Sequence, residues 1–381
     1  MNILISPNAF KHGLSAEEAA TAIRQGLMQS KLHCDCICFP IGDGGDGTAE
    51  LIIKNRMGEL VYGEVRDPLN RKINASFGLI DEGRTAVIEM ANASGLRLLR
   101  PEELNPLRAT SFGTGEQVKM ALDKGVQKII IGMGGSATVD GGTGMLQALG
   151  ICFLDAEGTK LTSLPADLTD LASIDQSGLD ARIYQTELIV LCDVDNMLLG
   201  PQGSAAVFGP QKGATVEGVQ KLDTALAKLS AVAFQQTGKN MSAIKYGGTA
   251  GGAAAGLYVF LNAQLVNGID HFLDLTGFDK ALEKTDLVIT GEGSIDEQTL
   301  QGKGPFGVAF RAKGKGLPVI GLAGKIPLQR NTDLQKYFDV LMPIGHQPVE
   351  LPTALASTAD NLMRTSAELG NLLAIIKPQS L

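Results

Sequence analysis

The stretch NILISPNAFKHGLSAEEAATAIRQGLM, residues Asn2 to Met28, predicts a strand followed by a helix. Its first six residues are a short apolar run that ends in proline, which is typical of a buried strand. Ser15 and Glu18 then stand at the spacing of a capping box, a common start signal of helices. Apolar residues recur on one helical face after this box, at Ala19, Ile23 and Leu27. A strand that leads into an amphipathic helix predicts a parallel, helix-covered sheet.

The same pattern occurs at both ends of the chain. CDCICFP and TAELIIKNRMG repeat the strand and helix within the first sixty residues. Near the other end, TDLVITGEG, LPVIGLAG and FDVLMPIG are apolar runs that end in glycine, and a long segment with helical periodicity follows them. In the middle, KINASFGLI and RTAVIEM flank DEG as the strands of an antiparallel hairpin do.

These patterns predict an α/β protein of two domains. Residues 1–65 and 284–381 would form one discontinuous, Rossmann-like domain with a doubly wound parallel sheet. Residues 66–283 would form an inserted domain of mixed α/β structure. A chain of 381 residues with 44% hydrophobic residues is long enough for two cores of this size.

Charge and hydropathy exclude several classes of partner. A net charge of -8 leaves no basic excess for binding a nucleic acid or an anionic membrane. No leader segment is recognisable, and the longest apolar run, GGAAAGLYVFL, is too short to span a bilayer. We therefore expect a cytoplasmic protein with a small-molecule substrate, and the sequence leaves a homodimer open.

The five cysteines predict reduced thiols rather than a disulfide framework. Cys34, Cys36 and Cys38 alternate, so a strand would direct all three to one face. Thiolate zinc sites usually have C-x-x-C spacing and a second ligand pair, which favours small buried hydrophobic residues over metal ligands here.

Turns that carry glycine, acidic residues or both follow four of the predicted strands. They are IGDGGDGT, GMGGSATVDGGTG, CDVDN and TGEGSID. Glycine lets the backbone approach an anion, and carboxylates in the same turns can hold a divalent cation against it. Each turn alone is typical of an ordinary tight turn, but the four together indicate a site for a metal-chelated nucleotide at the carboxyl ends of the strands.

One turn also fits a different enzyme class. GMGGSA, from Gly132 to Ala137, matches the G-x-G-x-x-G/A dinucleotide fingerprint, and Asp155 lies near the position of a ribose-binding acid. A dehydrogenase acting on a small hydroxy acid is therefore an alternative. Against it, Asp140, Gly141 and Gly142 fall where the helix of the fingerprint should already be running, and glycine is unfavourable inside a helix. No G-x-x-x-x-G-K-[ST] motif is present, which excludes a Walker-type phosphate loop.

The motifs, taken in order, resemble those of the bacterial glycerate kinase family. They are SPNAFKHGLSA, IGDGGDGTAE, IEMANASGL, SFGTGE, GMGGSATVDGGTGMLQALG, CDVDNMLLGPQGSAAVFGPQKGA, GGTAGGAAAG and DLVITGEGSID with GKGPFGVA. The resemblance covers essentially the whole chain. It implies ATP-dependent phosphorylation of D-glycerate with Mg²⁺, to 2-phosphoglycerate rather than 3-phosphoglycerate, in a cleft between a Rossmann-like domain and a second α/β domain.

Five positions depart from the family pattern. Asn8 and Ala9 replace an aspartate and a serine, Asp46 replaces a glutamate, Met197 replaces a proline, and Ser294 replaces an arginine. These departures keep a third alternative open, a non-catalytic sugar-acid-binding protein of the same fold.

The mechanistic hypothesis assigns roles to several residues of these turns and to three lysines near them. Asp193, Glu292 and Asp296 would hold Mg²⁺ on the nucleotide phosphates. Asp43 would accept a proton from the attacking hydroxyl, and Asp193, Lys11 and Lys303 are the other predicted catalytic residues. The predicted phosphate-binding residues are Gly134, Gly135, Ser136, Thr138 and Lys212. The predicted glycerate-binding residues are Asn8, Gly44, Gly45 and Asp46.

Overall fold

The computed structural model describes residues 1–376, which alternate between strands and helices. The strands are β1 (Asn2–Pro7), β2 (Asp35–Cys38), β3 (Glu59–Arg66), β4 (Lys72–Ile80), β5 (Thr85–Glu89), β6 (Lys128–Gly132), β7 (Cys152–Leu154), β8 (Ser173–Asp175), β9 (Glu187–Cys192), β10 (Gln264–Asn267), β11 (Leu287–Ser294), β12 (Val319–Lys325) and β13 (Val340–Pro343). The helices are α1 (Ala16–Gln29), α2 (Thr48–Asn55), α3 (Ala91–Ser94), α4 (Phe112–Asp123), α5 (Thr143–Ala148), α6 (Ser204–Phe208), α7 (Val216–Thr237), α8 (Ala253–Leu261), α9 (Gly268–Thr276), α10 (Phe278–Leu282), α11 (Gly304–Gly314), α12 (Thr332–Gln335), α13 (Leu351–Ala356) and α14 (Thr358–Ile376). The predicted α/β class is confirmed.

The first compact unit consists of Met1–Asp43 and the chain from Ile269 onward. Its sheet has the order β13-β12-β11-β1-β2, and every neighbouring pair is parallel. Strand β1 is almost completely buried. It pairs with β11 on one side and with β2 on the other, so Ile3 lies between Leu287 and Cys36. The carboxyl ends of β1 and β11 therefore meet at one edge of this sheet.

Helix α1 begins as the sequence predicts. Ser15 Oγ accepts the Glu18 N–H at 3.2 Å, and Glu18 Oε2 accepts the Ser15 N–H at 2.8 Å, which completes the capping box. The apolar face, with Ile23 and Leu27 fully buried, lies in one core with β1 and α14. Gly26 permits α14 to approach, because a Cβ at this position would lie 2.1 Å from the Met363 carbonyl oxygen.

The second unit, Gly44–Gly268, contains a six-stranded sheet of the order β10-β9-β6-β5-β4-β3. The first four strands are parallel, and β5, β4 and β3 are antiparallel. The hairpin predicted around DEG is confirmed, since Leu79 pairs with Ala86. A short antiparallel pair, β7 with β8, completes the strands of this unit in the described residues.

The unit boundaries differ from the predicted ones at 65/66 and 283/284. Helix α2 belongs to the second unit because it packs on β4 and β5, with Ile53 occupying the space above Gly78. Residues 269–283 belong to the first unit because Ile269 contacts α11 at Gly307, and the Phe278 ring packs edge-on against Phe39 at 5.2 Å. Periodicity identifies a helix but not the sheet that it covers.

The cysteine cluster lies at the edge strand β2. Cys34 precedes the strand, and its Sγ is 3.6 Å from Cys36 Sγ. Cys34 and Cys36 are half-buried and pack against the core, whereas Cys38 is exposed, so the prediction of buried hydrophobic residues is wrong for Cys38. Side chains on an edge strand have a neighbouring strand on one side only, so they are less completely buried than those of an inner strand.

The helices within residues 1–376 were searched for candidate membrane spans, and none combines the necessary length with the necessary hydropathy.

Candidate functional site

In the first unit, three segments converge on the carboxylate of Asp43. Asn8 follows β1, and its Nδ2 donates to Asp43 Oδ2 at 2.8 Å. The Gly304 N–H, at the start of α11, donates to the same oxygen at 3.3 Å. The Asn8 N–H donates to the Gly291 carbonyl of β11 at 2.8 Å, which ties this corner to the adjacent strand. Asp43 is therefore held by hydrogen bonds at the carboxyl edge of the sheet.

Glu292 lies beside Asp43 at the end of β11. It is 9% exposed, and Thr299 Oγ1 donates to its Oε1 at 3.1 Å. Burial raises the pKa of Glu292 to about 7, and the charge of Asp43 adds to the rise. The positive charges of Lys303 and Lys11 oppose it. We call Asn8, Lys11, Asp43, Glu292 and Lys303 the Asp43 cluster.

Asp296 differs from these residues because its carboxylate caps a turn. Its Oδ1 accepts the Gln298 N–H at 3.0 Å, and Ser294 Oγ donates to its Oδ2 at 3.3 Å. Ser294, where the family pattern has arginine, thus contributes to this cap. Among residues 1–376, no three His, Cys, Asp or Glu side chains are grouped as in a preformed metal site.

In the second unit, two glycine-rich turns touch each other. The Gly134 N–H donates to the Gly44 carbonyl at 3.0 Å. A Cβ at Gly134 would lie 2.3 Å from the Gly45 Cα, so only glycine fits this approach. Asp46 is exposed beside the contact, and its Oδ1 is 3.3 Å from Arg97 Nη1. The predicted glycerate-binding and phosphate-binding turns of this unit are therefore adjacent.

The turn after β6 is mostly covered. Of the four residues that the sequence assigns to phosphate in this turn, Gly135 is exposed, whereas Gly134, Ser136 and Thr138 are buried. Thr138 Oγ1 has no hydrogen-bond partner within the described residues. In this conformation, Gly135 is the member of the four that a phosphate can reach.

Lys212 lies beneath this turn and is 4% exposed. Its Nζ donates to Ser136 Oγ at 2.9 Å and to the Thr138 carbonyl at 2.7 Å. Burial lowers the pKa of Lys212 to about 7, although the charges of Asp140 and Asp193 favour its protonation. Lys212 therefore holds the turn from inside, and its predicted direct contact with phosphate stays a prediction.

Asp140 is a residue whose importance the sequence reasoning missed. It is fully buried, and its Oδ2 accepts the Ser111 N–H at 2.9 Å and the Ser111 Oγ–H at 2.7 Å. Its two oxygens also accept the N–H groups of Gly142 and Gly144. An aspartate followed by two glycines just before a helix is the signal that could have identified it.

The same region does not have the geometry of a dinucleotide fingerprint. Helix α5 begins at Thr143, after Gly141 and Gly142 with positive φ, rather than within the glycine motif. Asp155 accepts the N–H groups of Glu157 and Thr159 and so caps its own turn. Neither the position where α5 begins nor the hydrogen bonds of Asp155 support a binding site for a nicotinamide dinucleotide.

Asp193 follows β9, the strand next to β6 in the sheet. It is half-buried, at the sheet edge where β6 ends in the glycine turn. Because parallel strands end at the same edge, Asp193 and the turn around Gly135 share that edge. The second unit thus has the carboxylate of Asp193 and the exposed backbone of Gly135 at the same edge of its sheet.

The profile of the Glycerate kinase family matches residues 3–374. The chain belongs to this family. It is 43% identical over 377 residues to a glycerate kinase of Bacillus subtilis strain 168, with 99% of both chains covered. It is 40% identical over 379 residues to a glycerate 2-kinase of Escherichia coli K12, with 98% of both covered.

A crystal structure assigned to glycerate kinase 2 of Salmonella typhimurium LT2 has the same fold. The TM-score is 0.81 at 43% sequence identity, and 98% of each chain is covered. The resemblance that the sequence motifs indicate is therefore confirmed, as is the fold class of this glycerate kinase family member.

Proposed function

We propose that this protein transfers the γ-phosphoryl group of ATP to the C2 hydroxyl of D-glycerate and forms 2-phosphoglycerate. The observation that carries the proposal is the Asp43 cluster, in a chain that matches the glycerate kinase family over nearly its whole length. Phosphoryl transfer needs positioning and charge stabilisation more than covalent chemistry, and this cluster offers both.

Asp43 is the proposed proton acceptor. Asn8 Nδ2 donates to Asp43 Oδ2, and this hydrogen bond orients the carboxylate that would accept the proton of the glycerate hydroxyl. As the C2 oxygen bonds to the γ-phosphorus, the bond from phosphorus to the bridging oxygen of ADP breaks and the hydroxyl proton passes to Asp43. At position 8, an aspartate would place a second negative charge beside this carboxylate, whereas the asparagine of this chain supplies a donor.

Lys11 and Lys303 are proposed to stabilise negative charge on the transferring group or on the glycerate carboxylate. Lys303 precedes α11, and both lysines act electrostatically on Glu292. Charges preorganised near a reacting centre are worth roughly 3 to 4 kcal/mol each. The exposed Asp46 and the backbone of Gly44 and Gly45 are proposed to contact glycerate.

The residues present fit Mg²⁺ carried by the nucleotide. Mg²⁺ is commonly held by one or two carboxylates with phosphate oxygens and water, so a complete protein cage is not required. Burial, and then the charge of Asp43, raise the pKa of Glu292, and a divalent cation would stabilise both groups as carboxylates. Glu292, Asp296 and Asp193 are the residues proposed to hold it, and the ion would neutralise charge on the phosphates.

Phosphorus NMR tests the reaction and the position of transfer together. The protein is incubated with ATP, MgCl₂ and D-glycerate, with an Asp43→Asn variant as control. Phosphate on C2 couples to one proton and gives a doublet, whereas phosphate on C3 couples to two and gives a triplet. A doublet that the variant forms at least a hundredfold more slowly supports the proposal.

Two outcomes would contradict it. A triplet would assign the reaction to the C3 hydroxyl. Glycerate binding without formation of ADP would favour the non-catalytic binding protein, for which Asn8 and Ser294 are the motivating departures.

A further inference from the structure

The proposed mechanism does not use Arg97, an arginine beside the glycine-rich turns of the second unit. Arg97 lies in the short helical turn Leu96–Leu98 that follows α3. The N–H of Leu96 donates to the Gly135 carbonyl at 2.8 Å, which fixes the backbone next to Arg97 to the exposed residue of the turn after β6. The Arg97 side chain is 51% exposed. A ligand at this turn can therefore reach its guanidinium.

Two side chains orient the guanidinium. Arg97 Nη2 donates to Asn92 Oδ1, and Asn92 is itself held because its Nδ2 donates to the Ser76 carbonyl of β4 at 3.0 Å. Arg97 Nη1 donates to Asp46 Oδ1 at 3.3 Å. A Cβ at Gly135 would lie 3.3 Å from Asp46 Cβ, so Asp46 is in contact with both the guanidinium and the exposed glycine.

The guanidinium has hydrogen-bonding capacity left for a ligand. Arginine has five N–H donors, and Asn92 and Asp46 are the hydrogen-bond partners of Arg97 among the described residues. The distance to Asp46 also exceeds the value of about 2.7 to 2.9 Å that is usual between a cationic donor and a carboxylate. The planar fork of arginine matches the two oxygens of a carboxylate, so an anionic ligand can bind beside Asp46.

The local charges favour a carboxylate as that ligand. Asp46 is proposed to contact glycerate, and its negative charge alone would repel the carboxylate of the substrate. Arg97 offsets this charge at 3.3 Å. Glu89 lies near both and is 4% exposed, and burial raises its pKa well above the usual range. The uncharged form of Glu89 is therefore favoured, and it adds no second negative charge beside Asp46.

Lys212 does not offer the same contact. It is 4% exposed, and its Nζ donates to Ser136 Oγ and to the Thr138 carbonyl on the inner side of the turn. A lysine also lacks the paired donors that fit both oxygens of a carboxylate. Arg97 is thus the better suited of these two cations for binding an acidic substrate.

We propose that Arg97 binds the carboxylate of D-glycerate through paired hydrogen bonds and makes the protein select an acid over an uncharged analogue of the same size. The inference rests on the proposed function, because it names the residue that recognises the acidic group of that substrate. The phosphates of ATP have the same oxyanion chemistry, so the kinetics of both substrates must be measured.

Steady-state kinetics with D-glycerate and with D-glyceramide, its uncharged amide, test this recognition. Arg97→Met removes the guanidinium and keeps an unbranched side chain. Arg84→Met is the matched control, because Arg84 is 59% exposed, pairs with Glu82 at 3.4 Å and precedes β5, the strand that ends at Glu89. Release of ADP gives kcat and KM for both acceptors and for ATP, and circular dichroism checks that each variant is folded.

We expect Arg97→Met to raise the KM for D-glycerate at least about tenfold and to leave the KM for ATP within about twofold of wild type. The ratio of kcat/KM for the acid to kcat/KM for the amide should fall about tenfold. Arg97→Lys keeps the charge without the fork, so its KM for D-glycerate should lie between those of wild type and Arg97→Met. Arg84→Met should match wild type.

Three results would overturn the assignment. A KM that rises for ATP and not for D-glycerate would assign Arg97 to the phosphates. Equal losses with the acid and the amide would show a general effect on the structure of the site. An unchanged KM for D-glycerate in Arg97→Met would show that the carboxylate binds elsewhere, and this KM alone decides if neither protein accepts the amide.

The failure of this inference is distinguishable from failure of the proposed function. Formation of phosphoglycerate by Arg97→Met with the wild-type KM for D-glycerate would reject the role of Arg97 alone. If wild type forms no phosphoglycerate, calorimetric titration with D-glycerate replaces the kinetics. Binding that Arg97→Met weakens about tenfold and Arg84→Met leaves unchanged would then retain the carboxylate contact and reject the reaction, whereas equal binding by the two variants would reject the contact as well.

Discussion

Gly134→Ala is expected to disrupt the contact between the two glycine-rich turns of the second unit. The added Cβ would lie 2.3 Å from Gly45 Cα and 2.4 Å from both Gly45 C and Asp46 N. Carbon atoms in good contact are about 3.5 to 4.0 Å apart, so the turns must separate by about 1 Å. Backbone atoms cannot rotate away as the end of a flexible side chain can.

The magnitude follows from this overlap. Overpacking a tight site costs about 1 to 3 kcal/mol, and backbone partners favour the upper half of that range. We therefore expect the free energy of unfolding to fall by about 2 to 3 kcal/mol. A displacement of about 1 Å in groups that position a substrate can lower the rate about a hundredfold, and we expect such a loss in kcat/KM for ATP.

Gly218→Ala is the matched control in the same unit. Its Cβ would meet Thr215 Oγ1 at 3.4 Å and Ala214 Cβ at 3.6 Å, which are ordinary contacts with the two residues that precede helix α7. We expect it to gain about 0.5 kcal/mol of stability from helix propensity and to keep wild-type activity. Urea unfolding followed by circular dichroism and a coupled assay of ADP release measure both variants. Stability within about 0.5 kcal/mol of wild type together with a change in kcat/KM below threefold for Gly134→Ala would refute the reasoning.

Three further predictions concern the lysines and a helix cap. Lys303→Ala should lower kcat about a hundredfold, whereas Lys315→Ala at the other end of α11 should leave it unchanged; a loss below threefold for Lys303→Ala rejects its role. Because the pKa of Lys212 is lowered to about 7, the folded protein loses this proton near pH 7 while the unfolded chain keeps it to about pH 10.5. The unfolding free energy of wild type should therefore rise relative to Lys212→Met by about 1.4 kcal/mol per pH unit between these values, and parallel pH profiles in urea unfolding would contradict this. Ser15→Ala should cost about 1 kcal/mol of stability through loss of the α1 cap, with kcat unchanged; a thermal melt that matches wild type would show that the cap contributes nothing.

Local patterns predicted much of the secondary structure. The capping box at Ser15 and Glu18, the alternating strands around DEG and the apolar runs that end in glycine each depend on residues within a few positions of one another. Hydrogen bonds and side-chain periodicity at that range are properties of the segment itself. The family motifs likewise occur in the sequence in their usual order, so family membership could be predicted without the structure.

Local sequence patterns predicted only part of the candidate site. The sequence indicated that Asn8 and Asp43 follow strands, and the structure joins them by a hydrogen bond. It did not indicate that Lys212 is buried beneath the glycine turn, or that Gly135 is exposed while Ser136 and Thr138 are covered. Burial depends on neighbours that are distant in the chain. Lys212 and Ser136, for example, are 76 positions apart in the sequence, and yet they form a hydrogen bond.

The sequence by itself determined the alternation of strands and helices, the glycine and acid content of the turns, and the family. Only the tertiary structure decided that α2 covers the second sheet, that Asp140 anchors the turn before α5, and that Lys212 lies buried beneath the glycine turn. The physical reason is the range of the interactions. Propensity and capping act within one segment, whereas exposure, proton affinity and the shape of a cavity depend on packing between segments far apart in the chain.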